Sequence, residues 1–170
     1  VSAVVVGSGG AAAAWAGGGS GGYELAAGGG HTVVRPVPAL VPLVLQNRRP
    51  SLSAGLTLPD VRLSLHGNEK VRSRGALLFT HDGISGPAAL NISGAVAAEL
   101  ADGRPVELRA ALHSADEQWW EAHFAGFRDR RGGMNVLTVL RREMPTALAA
   151  TVMELAGIVP ETRMSGLSAS

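Results

Sequence analysis

Residues 79–90 read Phe79-Thr80-His81-Asp82-Gly83-Ile84-Ser85-Gly86-Pro87-Ala88-Ala89-Leu90. This is the densest polar cluster of the chain, with His81, Asp82 and Ser85 close together. A hydrolase triad needs a base that reaches the serine hydroxyl and a third group that orients the base. Residues this near in sequence rarely reach that geometry. The local reading is different: a strand ends at Thr80, Gly83 and Gly86 permit a tight turn, Ser85 caps a helix and Pro87 takes its first position. Ala88 to Leu100 continues that helix, weakened by Gly94. The free N–H groups of such a helix start are a candidate anion site.

The chain on the N-terminal side of this stretch is strand-rich. Leu56-Thr57-Leu58 and Val61-Arg62-Leu63-Ser64-Leu65 alternate apolar and polar residues, as half-buried strands do. His66-Gly67-Asn68-Glu69 is a turn, and Val71 to Thr80 is a further strand with Gly75 as its expected bulge. Thr32-Val33-Val34 is strand-like. Pro36, Pro38 and Pro42 then predict an extended segment at a sheet edge, because proline cannot donate to a ladder. Pro105 to Leu112 alternates again, with Val106, Leu108 and Ala110 on one face.

The last third is helical. Ser114-Ala115-Asp116-Glu117 matches a capping box with Ser114 as N-cap. Trp120, Phe124 and Phe127 follow at helical spacing on one face. Trp119 and Trp120 point about 100° apart on a helix, so one belongs to the core and the other to a domain interface. Asn135 to Glu143 and Thr146 to Ala156 form two more helices, the latter with Pro145 at its start and Gly157 past its end. Arg48-Arg49 and Arg128-Asp129-Arg130-Arg131 read as solvated charge.

Composition excludes several classes. Among 170 residues, 15 Lys and Arg balance 14 Asp and Glu, which argues against a nucleic-acid or anionic-membrane partner. There is no cysteine, hence no disulfide and no thiol chemistry. His31, His66, His81, His113 and His123 do not fall at metal-ligand spacings, so no metal is expected. No apolar run reaches the roughly 18 residues of a membrane span. No basic signal region precedes the chain, and a cytoplasmic location is expected. The missing initiator Met points to an excised piece.

At the N-terminus, Ala3-Val4-Val5-Val6 reads as a short buried strand closed by Gly7. Gly7-Ser8-Gly9-Gly10-Ala11-Ala12 then matches G-x-G-x-x-A, a phosphate-loop pattern. A stand-alone nucleotide binder would need an acidic residue at the end of a second strand. Glu24 has about the right separation but lies on the helix-like run Tyr23-Glu24-Leu25-Ala26-Ala27, ended by Gly28-Gly29-Gly30. Ala11 to Gly22 is low-complexity and reads as a loop.

The motifs in order are Gly9-Gly10, Gly22-Tyr23-Glu24-Leu25-Ala26, Gly30-His31-Thr32, Pro38-Ala39-Leu40-Val41-Pro42-Leu43, Ala54-Gly55-Leu56, and Phe79 to Leu90. This series resembles the HI0933-like NAD(P)/FAD-dependent oxidoreductases from about residue 1 to 159. The resemblance implies an α+β chain: residues 1–30 a remnant of a Rossmann-like FAD domain, 31–112 an antiparallel β-barrel-like insert, 113–159 a small helical subdomain and 160–170 a tail. It implies FAD as cofactor, with Ser8, Gly9, Gly10, Gly22 and Tyr23 facing it. The partner it implies is the remainder of the FAD domain. Ser8 stands where the family has Thr, Ala12-Ala13-Ala14 where it has S-Y-P, and Gly19-Ser20-Gly21-Gly22 where it has T-G-D-G. These changes remove side-chain hydrogen bonds beside the cofactor.

Two functions are therefore expected in competition. One is a fragment of a flavin-dependent, NAD(P)-linked oxidoreductase whose insert covers the flavin domain and shapes substrate access; the isolated chain would be inactive. The other is a stand-alone, non-enzymatic interaction module derived from that insert. No residue is assigned as a catalytic acid or base.

Overall fold

A computed structural model describes residues 2–46 and 54–167; Arg48-Arg49 lie outside them. The chain divides into two compact units, Val1–Pro38 and Ala39–Ser170.

The first unit contains a short 3-10 segment, Ala11–Ala16, and one helix, α1 (Gly21–Gly28). Ala3–Val6, expected as a buried strand, forms none: Val4 and Val5 are 81% and 93% exposed. Branched side chains favour extended backbone, but a strand needs a neighbour to pair its amides and cover its side chains. No strand among the described residues of this unit provides one. Thr32–Val34 is likewise unpaired.

The second unit is α+β, as expected. Its strands are β1 (Leu43–Val44), β2 (Thr57–Leu65), β3 (Asn68–Phe79), β4 (Gly83–Ser85) and β5 (Leu108–Ala111), and α2 (Pro87–Ala101) lies between β4 and β5 in the chain. They form one antiparallel sheet in the order β1-β4-β3-β2-β5. The proline segment contributes only Leu43 and Val44 to the β1 edge. Just before it, Val41 is held by Ser93, whose fully buried hydroxyl donates to Leu90 O and accepts from Val41 N at 3.2 Å.

The two short runs Leu56–Leu58 and Val61–Leu65 are one strand, not two. Leu58 pairs with Leu77 and Val61 with Gly75, so Pro59 and Asp60 stand opposite Ala76 alone. The extra residue is on β2, not at Gly75. It resets the alternation, so that Leu58, Val61, Leu63 and Leu65 all face the core. Across the bulge, Arg74 donates to both carboxylate oxygens of Asp60, at 2.7 and 2.6 Å.

Gly75 has its own task. Its φ is +155°, and a Cβ there would stand 3.1 Å from Pro87 Cβ. Gly86, at φ +87°, would bring a Cβ within 2.8 Å of Ala76 O. Two glycines therefore let the first turn of α2 lie directly on β3. Ala88, Ala89, Ile92 and Val96 seal that face. The N-cap is Gly86, without a side-chain bond, and Ser85 belongs to β4, paired with Leu78. The expected Ser85 cap is thus replaced by backbone geometry.

Three helices follow: α3 (Glu117–Arg131), α4 (Val136–Glu143) and α5 (Thr146–Leu155). The cap of α3 is Asp116, which accepts from Trp119 N at 2.9 Å, rather than Ser114. Asn135 caps α4 through Leu137 N at 2.8 Å and donates to Pro160 O. Trp120, Phe124 and Phe127 pack on a second core of Val136, Val139, Leu140, Ala149, Met153 and Met164. Helix α5 serves both cores, because Leu148 enters the sheet core while Ala149 and Met153 enter the helical one. Residues 160–167 run back over these helices, and Met164 is fully buried.

Three outcomes check this account. Gly86→Ala should cost about 1–3 kcal/mol in urea unfolding from strained backbone alone, whereas Ser85→Ala should stay within about 0.5 kcal/mol of wild type. Asp116→Ala should lose about 1 kcal/mol, and Ser114→Ala almost nothing. The hydrogen bonds from Arg74, reinforced by its charge and that of Arg62, hold the Asp60 carboxyl below its ordinary value. Such a depressed acid stabilises the fold above its unfolded pKa, and the contribution disappears as pH falls through the folded value. Arg74→Ala should therefore raise the Asp60 midpoint in an NMR titration, and any stability deficit should vanish in acid.

Candidate functional site

Within the first unit, the residues expected near a cofactor come together in pairs. The Ser8 hydroxyl rests on the backbone of Gly22, where a Cβ would collide with its oxygen. The Tyr23 hydroxyl lies over Gly10, 3.4 Å from where a Cβ would be. Gly9, between the two contacts, has φ +72° and open space around it. Gly18 was not anticipated and closes the loop: its N–H donates to Ala13 O at 3.0 Å, and its backbone abuts Gly10 O. Ser20 uses its hydroxyl on Glu24, at 2.6 Å, instead of capping α1.

The chemistry of this corner is simple. Two hydroxyls, from Ser8 and Tyr23, stand beside exposed glycine backbone, and residues 2–22 carry no charged side chain. Such a surface accepts the close approach of a large polar ligand and repels neither anion nor neutral ring. Gly10 and Gly22, however, make room for side chains of this same chain. The residues present therefore fit one wall of a dinucleotide site and not an enclosed one.

The stretch 79–90 carries no triad. Ser85 is committed to the β3–β4 ladder, His81 is exposed, and no hydrogen bond joins His81 to Ser85 among the described residues. The Thr80 hydroxyl accepts from Gly83 N at 3.1 Å and Thr80 N donates to Gly83 O at 2.9 Å, which fixes the turn. At the start of α2, Ala88 is fully buried and a Cβ at Gly86 would meet β3 backbone, while Pro87 is exposed.

The proline segment has one unexpected feature. Leu40 adopts φ +56°, the one positive φ outside glycine among the described residues, and is 69% exposed. Left-handed backbone costs a leucine roughly 1–2 kcal/mol. Val44, on the edge strand β1, is exposed as well. In the helical region, Trp119 stacks on His123 at 4.3 Å and does not join the core. The largest hollow described there, about 720 Å³, is an apolar groove between α3, α4 and α5 bordered by Phe124, Leu140, Met153 and Ile158. No described helix is long and apolar enough to cross a membrane.

No curated protein matches the chain. A family model described as HI0933-like protein barrel and H2TH domain matches residues 37–170, well over half of the sequence. The antiparallel sheet and the helices α3 to α5 fall within that match, and the chain belongs to the HI0933-like family.

Proposed function

We propose that this chain is part of an FAD-dependent, NAD(P)-linked oxidoreductase, in which the sheet and helices of the second unit cover a flavin domain and shape access of substrate. The observation that carries this reading is the surface left without a partner. Val4, Val5 and Trp15 in the first unit, and Leu40 and Val44 in the second, are all more than two-thirds exposed. Within the first unit, the consecutive exposed valines Val4 and Val5 suit a contact with other protein. The remainder of the FAD domain is the partner whose chemistry fits, since Ala3–Val6 is a strand sequence that lacks only a neighbour.

FAD, when bound, supplies the hydride chemistry. The role of this chain's residues is to bind and position. The Ser8 and Tyr23 hydroxyls, the latter over Gly10, and the open backbone at Gly9 would form one side of the cofactor's bed, and Gly22 keeps the Ser8 hydroxyl close to α1. No catalytic acid or base is assigned among them. A stand-alone interaction module would use the same apolar surface for a different protein.

Flavin binding separates the two. The purified chain alone should carry no stoichiometric flavin in its visible absorbance. Adding the polypeptide segments that complete the FAD domain should produce a flavin-loaded complex, and Val5→Asp should prevent its assembly. Stoichiometric FAD on the 170 residues alone would contradict the layout. Failure of the completed protein to bind flavin would favour the interaction module.

A further inference from the structure

Helices α3 and α4 both end in arginine: Arg128, Arg130 and Arg131 on one, Arg141 and Arg142 on the other. A cation in the last turn complements the helix dipole, which accounts for each helix by itself. It does not account for convergence. Arg130, Arg131 and Arg142 line one open cavity of about 510 Å³, together with His123, Gly126 and Phe127. None of the three guanidiniums forms an ion pair with any described residue. Asp129 is exposed and pairs with none of them, while Glu143 lies 3.2 Å from His123 Nε2.

His123 lines the same cavity, but its Nε2 is buried and faces Glu143 at 3.2 Å, so the imidazole leaves the arginines as the groups open to a ligand. Gly126 leaves the cavity floor bare: no atom lies within 4 Å of where its Cβ would be. At one side the Arg142 guanidinium sits 5.4 Å from the centre of the Phe127 ring, which orients it without neutralising it. The volume is that of an ordinary small-molecule site and leaves room for more than a bare oxyanion.

We propose that this cavity binds a small phosphate ester, with Arg130, Arg131 and Arg142 holding the phosphate and Phe127 flanking the organic group. Guanidiniums suit phosphate because their paired N–H groups match its oxygens. The site is built entirely from α3 and α4 and does not rest on the flavin reading.

Calorimetric titration of the whole chain with inorganic pyrophosphate and with ADP tests it. Both should bind saturably at one site, ADP more tightly because of its organic part. Arg130→Gln and Arg142→Gln should each weaken binding by about tenfold, the loss of one charge-assisted contact. Gly126→Leu should abolish ADP binding while leaving the melting temperature unchanged or higher, because leucine favours helix over glycine. Arg72→Gln, on the exposed face of β3, should change nothing. Absence of saturable binding would overturn the proposal, as would equal losses from Arg72→Gln and Arg142→Gln. Displacement of ADP by single-stranded DNA at physiological salt would overturn it in favour of a nucleic-acid surface.

Discussion

The first turn of α2 lies close against β3, where the Ser73 hydroxyl donates to Ala88 O at 2.6 Å, and the sheet unit depends on that contact. Gly75 on the strand and Gly86 at the helix entrance each remove a Cβ that would otherwise push the two apart. The approach buries Ala88 and Ala89 completely and brings Ile92 and Val96 over Leu63, Leu77 and Phe79. Burying a leucine such as Leu77 contributes about 1.5–3 kcal/mol, so the contact positions several such contributions at once. The densest polar cluster of the sequence forms a turn, held by the Thr80 hydroxyl and by Thr80 N on Gly83.

Strand periodicity made most of this sheet legible, and its exceptions have physical causes. The change of phase between Leu58 and Val61, with Pro59 between them, looks like the gap between two strands. A bulge gives the same pattern, and the unbroken pairing with β3, Leu58 with Leu77 and Val61 with Gly75, distinguishes them. Strand β4 has three residues, one of them glycine, and so no period to read. In the run Ser114-Ala115-Asp116-Glu117 two residues could cap. Starting the helix after Asp116 leaves Trp120, Phe124 and Phe127 on the inner face, and the shorter cap prevails. Ala3–Val6 shows the limit of local preference: branched residues extend the chain but cannot make a strand alone.

The candidate sites were legible to different degrees. Ser8, Gly10, Gly22 and Tyr23 stand out as motif positions, yet the crossing of Ser8 over Gly22 arises only when α1 folds back on the loop. Gly18 belongs to a low-complexity run, where one glycine cannot be told from the next. The arginine cavity was invisible in one dimension. Arg130-Arg131 and Arg142 lie on separate helices, and each run by itself reads as solvated charge. What sequence order does carry is family membership, and the family match, residues 37–170, covers the second unit.

Ala39–Ser170 is a compact unit with its own buried core, and Val4 and Val5 in the unit before it are exposed. Native-state hydrogen exchange on the whole chain tests that most directly. The slowest amides should lie in β2, β3 and α2, with Leu77, Phe79 and Ile92 exchanging only through global unfolding, while the amides of Val4 to Val6 exchange as fast as in an unstructured peptide. Protection at Val4 to Val6 equal to that of β3, or early exchange across α2, would contradict it.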